Sequence, residues 1–158
     1  MCAPVFSGSE FLPCLYAFVG GVGFCVLFHL RGKEIIFTSL GGAAGWLAYL
    51  LALPVVGSEV MAYFVAALVL SVYSETMARV RKCQVTVYLL IAIFPLVPGA
   101  GIYVTMQHAL RGENTLFLSE MMHTLSLSGA LALGILLVSS AIRMWRVFRR
   151  RVHLNSGR

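Results

Sequence analysis

The chain contains no aspartate. Its only acids are six glutamates in 158 residues, and charged residues of both signs make up 11% of it. A soluble domain carries nearer ~25%. So low a charge excludes a disordered chain and an acidic binding protein. Cysteine is sparse as well. Cys2, Cys14, Cys25 and Cys83 stand apart with no CxxC among them, which excludes a disulfide-rich secreted module and argues against a zinc ribbon or redox pair. Cys14 and Cys25 lie in apolar sequence as small hydrophobes. There is no nucleophile elbow, no HExxH and no pair of carboxylates on one face, so no catalytic constellation is present and no enzyme, metal or cofactor is expected. Nucleic-acid-binding signatures are missing too, and the net charge of +6 needs another explanation.

What the chain has in excess is apolar surface. Hydrophobic residues make up 59% of it and mean hydropathy is +0.89. A soluble fold of this size could not hide that much inside itself. A bilayer core of ~30 Å needs about 20 apolar residues as a helix. Five segments meet or approach that length: 11–30, 35–53, 60–78, 85–110 and 121–142. Backbone groups in lipid must bond within their own segment, which selects helices here; a β-barrel would show alternating ten-residue strands instead. The expected fold is therefore all-α: a polytopic membrane protein whose residues 1–142 form a five-span transmembrane module, followed by a basic tail, 143–158. The connections leave no room for a separate soluble domain. The first span lacks a basic stretch before it and is too long for an ordinary signal peptide, so it is expected to stay in the mature protein.

The basic residues set the orientation. Arg31 and Lys33 lie in the first loop, Arg79, Arg81 and Lys82 in the third, Arg111 in the fourth and six arginines in the tail. With five spans, eleven of the twelve fall on one side. The positive-inside rule places the N-terminus outside and the C-terminus in the cytoplasm, in an inner membrane. The tail, with Arg143, Arg146, Arg149, Arg150 and Arg151 around Trp145, continues the last helix into the headgroups and suits anionic lipid.

Three spans carry small residues one turn apart: Ala17, Gly21 and Cys25; Gly41 and Gly45; and Ser126, Ala130 and Gly134. Such stripes let helices approach closely in lipid. Tight packing accounts for them; a sliding or gating surface is the functional alternative.

The fourth segment is the most informative. It reads Phe94-Pro95-Leu96-Val97-Pro98-Gly99-Ala100-Gly101-Ile102-Tyr103. Pro95 cannot donate to the carbonyl of Ile91, nor Pro98 to that of Phe94. The segment's midpoint falls between Val97 and Pro98, so the fourth helix is expected to break in mid-bilayer, where bare carbonyls need protein or a watery cavity. A second half-helix would begin at Gly99, Ala100 and Gly101, and its free N–H groups suit a carboxylate. Broken helices of this kind build cargo sites in secondary transporters. A proline kink that only aids packing is the alternative. Tyr103 and Gln107 follow Gly99 at one-turn intervals and extend a polar edge; Tyr103 equally suits a core position with its hydroxyl satisfied. The candidate cargo residues are Pro95, Pro98, Gly99, Gly101, Tyr103 and Gln107. Glu75 is the single acid inside a span. Arg79 stands four residues later, so the two read as a structural ion pair or as a proton-coupling or gating pair. Ser71, Ser74 and Ala78 flank Glu75 at turn spacing. His29, His108 and His123 sit near span ends and complete no ligand set.

The run Ser74-Glu75, Ala78-Arg79, Lys82, Thr86, Pro95-Leu96-Val97-Pro98-Gly99, Tyr103 and Thr105-Met106 resembles the threonine/serine exporter family, in the smaller of its two five-span modules. Gly45-Trp46 fits that module's second span, and Leu133-Gly134 to Ser139-Ser140 its last. The sequence departs from the family pattern at Gln84, where a proline is expected, and at Ile91-Ala92, where Pro-Gly is expected. The resemblance implies proton-driven export of small hydroxy amino acids, with succinate export in some split members. It also implies a second five-span subunit as partner, in a pair or a higher oligomer. An odd number of spans entering from outside suits the second half of an inverted repeat. Two rivals remain: a dicarboxylate exporter subunit, and a membrane scaffold with no transport path.

Overall fold

The computed structural model describes residues 12–30, 32 and 34–155. Every regular element among them is helical: α1 (Leu12–Leu27), α2 (Glu34–Val56), α3 (Glu59–Arg81), α4 (Val85–Ile93), α5 (Gly99–Leu110) and α6 (Asn114–Asn155). One turn of 3₁₀-helix, Phe94–Leu96, joins α4 to the break before α5. α2, α3 and α6 are long and apolar enough to cross a membrane, and α4 with α5 adds a fourth crossing if the bent pair is one span. α1 has 16 residues, about 24 Å of helix, which is short of a perpendicular crossing.

Local chemistry sets the ends. α2 stops at Val56 because Gly57 turns left-handed, with φ +67°, and its N–H reaches the carbonyl of Leu53. Lys82 takes the same conformation after α3, φ +56°, and bonds back to Arg79. No break separates the last span from the tail; α6 runs continuously through 42 residues.

The central α3 packs against α2, α4 and α6. The core is Tyr63, Ala66, Ala67, Leu70, Leu96, Leu127, Ala130 and Leu131. Glycines and alanines at the crossings let the helices lie close. A Cβ on Gly134 would stand 2.6 Å from the Cβ of Ala67, and one on Gly21 3.1 Å from the Cα of Ser39. The outer surface is apolar: Val55 is 84% exposed and Leu110 87%. Water would penalise such a surface, and hydrocarbon does not.

The direction of α6 fixes the path of the bent pair. Glu59, at the start of α3, meets His123 of α6, and Glu75, near the end of α3, meets Arg146 of α6. α3 and α6 therefore run parallel. The chain leaves α3 at one end of the bundle and enters α6 at the other, and α4 with α5 spans the distance between them.

Candidate transport site

α4 ends where the first proline removes an N–H donor. Val97 is extended, ψ 126°, because a residue before proline is pushed out of the helical region. α5 then starts at Gly99, tilted 54° from the preceding segment.

The glycines of α2 form the seat for this break. A Cβ on Gly41 would stand 2.8 Å from the Tyr73 ring and 3.3 Å from the Cβ of Ala92. One on Gly42 would stand 3.2 Å from Cγ of Pro95, and one on Gly45 3.2 Å from Cδ1 of Leu96. Phe24 of α1 stacks on Phe94 with centroids 3.5 Å apart. Leu96 and Pro98 are buried, and Pro95 is half-buried in a pocket of about 310 Å³ that it lines with Tyr16, Ala17 and Trp46.

The residues beyond the break lie differently. Gly99 has open space around it. Tyr103 is 68% exposed, and Gln107 is half-buried. Gly101 is pressed against α6, where a Cβ would meet Oγ1 of Thr124 at 2.5 Å. Pro95 and Pro98 thus face the bundle, Gly101 faces α6, and Gly99 with Tyr103 faces outward.

Glu75 is buried. Its Oε2 accepts a 2.9 Å bond from Arg146 and a 3.5 Å bond from Arg79. The stronger partner lies 71 positions away, on the helix whose arginines the sequence assigned to headgroups. A second network at the same end was not legible in the sequence. Glu34, the first residue of α2, accepts from Arg81 Nε at 2.8 Å and from the Tyr88 hydroxyl. Arg81 also lies 5.1 Å from the Phe37 ring centroid, and Tyr73 donates to the Phe37 carbonyl at 2.7 Å. The network ties α2, α3 and α4 together across 47 and 54 positions. Its only local signal was an acid at the start of one span and an arginine at the end of the next. At the opposite end, Glu59 pairs with His123 at 3.4 Å and Glu113 with His108 at 2.5 Å.

Among the described residues, four buried side-chain polar atoms have no partner: Trp46 Nε1, Ser71 Oγ, Ser74 Oγ and Thr124 Oγ1. No three His, Cys or Glu among the described residues come together as a metal site.

Among the described residues the chain is a helical bundle with apolar walls, a helix interrupted between two prolines and a buried acid. The profile of the family described as "Threonine/Serine exporter, ThrE" matches residues 13–141. The chain belongs to the threonine/serine exporter family. No curated protein and no solved structure matches it. Family membership and the apolar helices make it a multi-pass membrane protein of exporter type.

Proposed function

We propose that this chain is one of two subunits of a secondary active exporter, carrying L-threonine and L-serine out of the cell against inward proton flow. The observation that carries the reading is the bent pair: a helix interrupted at Pro95–Pro98, seated in the bundle on the α2 glycines and joining its two ends. In this reading the chain crosses the inner membrane five times. Its N-terminus is outside and the basic end of the bundle is cytoplasmic, with the tail arginines against anionic lipid.

Cargo binds at the break. Its carboxylate takes the free N–H groups at the start of α5, where the helix dipole adds to their effect, and Tyr103 and Gln107 bind its polar groups. In this chain alone Gly99 and Tyr103 face outward, so a second five-span subunit closes the cavity over them. Glu75 with Arg79 and Arg146 forms the cytoplasmic gate. Protonation of Glu75 weakens its hold on both arginines.

The test is export of threonine, serine and succinate from cells with and without the chain, repeated with the proton gradient collapsed. Loss of threonine and serine export on deletion, and on collapse of the gradient, is the expected result. Export that survives deletion overturns the reading. Selective loss of succinate export reassigns the cargo.

A further inference from the structure

Five hydroxyls in the helices satisfy themselves in the same way. Thr38, Thr76, Thr105, Ser126 and Ser128 each donate to the carbonyl four residues earlier, at 2.7 to 2.9 Å. Ser71 and Ser74 do not. Both are fully buried in α3 and neither has a partner. An unpaired buried hydroxyl costs about 1–3 kcal/mol, and an alanine of similar size avoids that cost. Serine at these two positions therefore calls for a reason other than packing.

Their placement supplies one. Ser71 directly follows Leu70, which shares the core with Leu96 at the helix break. Ser74 and Glu75 lie one turn further on, three and four positions along the same face. Glu75 is 6% exposed and binds both arginines through Oε2, which leaves Oε1 to neither. Two hydroxyls and a carboxylate oxygen on one buried face are what an internal water needs, since it seeks two to four polar partners. The line runs from the level of the break to the ion pair that ties α3 to α6.

We propose that Ser71, Ser74 and Glu75 hold a short chain of water and form the route by which Glu75 takes up its proton. The inference rests on reading the chain as a proton-coupled exporter subunit, and it adds the path between cargo site and acid. The step balances simply. A protonated water at the Ser71 end passes its charge along the chain. An O–H bond forms at the carboxylate of Glu75, and the donating water is left neutral. Arg146 and Arg79 then face a neutral acid, and the ion pair by which Arg146 holds α6 to α3 is lost.

Other ionisable groups at this end bear on the step. Arg79 and Arg146 both donate to Glu75; Arg143 stands one turn before Arg146 on α6 and is exposed. Glu34 and Tyr88, from α2 and α4, are bonded to each other, and Glu34 to Arg81.

The test uses the double variant Ser71→Ala/Ser74→Ala in the full chain, within the intact exporter. The purified full chain in detergent should melt no lower than wild type, since two unpaired polar groups are removed. Infrared difference spectra after a pH jump, with the carboxyl band assigned by Glu75→Gln, should show protonation of Glu75 slowed about tenfold or more and an associated water band lost. In cells, gradient-driven threonine export should fall by about the same factor while threonine exchange at equal pH stays within about twofold. Ser71→Thr/Ser74→Thr, which restores both hydroxyls, should recover the fast step. Unchanged protonation kinetics, or exchange that falls in step with driven export, overturns the proposal. If wild type moves neither threonine nor serine, the transport reading fails by itself, and the infrared arm still decides the proton route.

Discussion

The two halves of the broken helix are opposite in circumstance. α4 buries Tyr88, Ile91 and Ala92 among α1, α2 and α3. α5 buries no residue and leans on α6. The anchored half is fixed by glycines on a neighbouring helix and by the Glu34–Arg81–Tyr88 network; the other half packs on α6, with Gly101 close against Thr124. A break of this kind does more than bend a helix. It separates a half packed against three helices from one that leans on α6 and leaves a face with Gly99 and Tyr103 exposed.

The sharpest way to break the comparison is to place the same side chain on each half's environment. Gly42→Leu drives a side chain into Pro95 and is expected to destabilise the full chain by about 3 kcal/mol. Gly99→Leu meets open space and should leave stability within about 0.5 kcal/mol while abolishing export. Thermal unfolding in detergent, paired with export assays, reads both. Equal destabilisation by the two would refute the division, and export that survives Gly99→Leu in an intact complex would move the cargo site elsewhere.

The close approach of α5 to α6 comes next. Gly101→Ala puts a methyl 2.5 Å from Oγ1 of Thr124 and should cost about 1–2 kcal/mol. Adding Thr124→Ala removes that oxygen and should return most of the loss, a coupling a double-mutant cycle measures directly. No coupling would mean that α5 is held in some other way.

A smaller effect is expected at the basic end. Glu34→Gln weakens the bonds from Arg81 and Tyr88 and should lower the melting midpoint modestly, since the pair's side chains keep 19% and 31% of their exposure and solvent screens them. High salt should shrink the difference between Glu34→Gln and wild type. Smallest for the fold is Tyr103→Phe, expected to leave unfolding unchanged within about 0.5 kcal/mol and to slow export. Export at the wild-type rate would remove the hydroxyl from the cargo site.

The helical class and the position of the break were legible because each depends on nearby residues. A chain in lipid must satisfy its backbone locally, and Pro95 and Pro98 deny donors at fixed positions. Gly41, Gly45 and Gly134 stood out by spacing alone, and all three lie where a Cβ would crowd a neighbour. Gly42 did not stand out, because its importance comes from Pro95, 53 positions later. Glu75 with Arg79 was readable at i, i+4; the closer partner, Arg146, was not. The direction of Tyr103 was equally hidden. One turn of helix places it beside Gly99, but nothing local says whether that face meets the bundle.

By itself the sequence determined what could be decided within a few residues: helices of bilayer length, the two proline interruptions, the uneven distribution of arginine, and the family. Tertiary structure alone decided which glycine receives which proline, which arginine reaches Glu75, and which hydroxyls are left without a partner. The reason is range. Backbone hydrogen bonds and proline sterics act over four residues or fewer, whereas burial and ion pairing depend on which helices end up side by side.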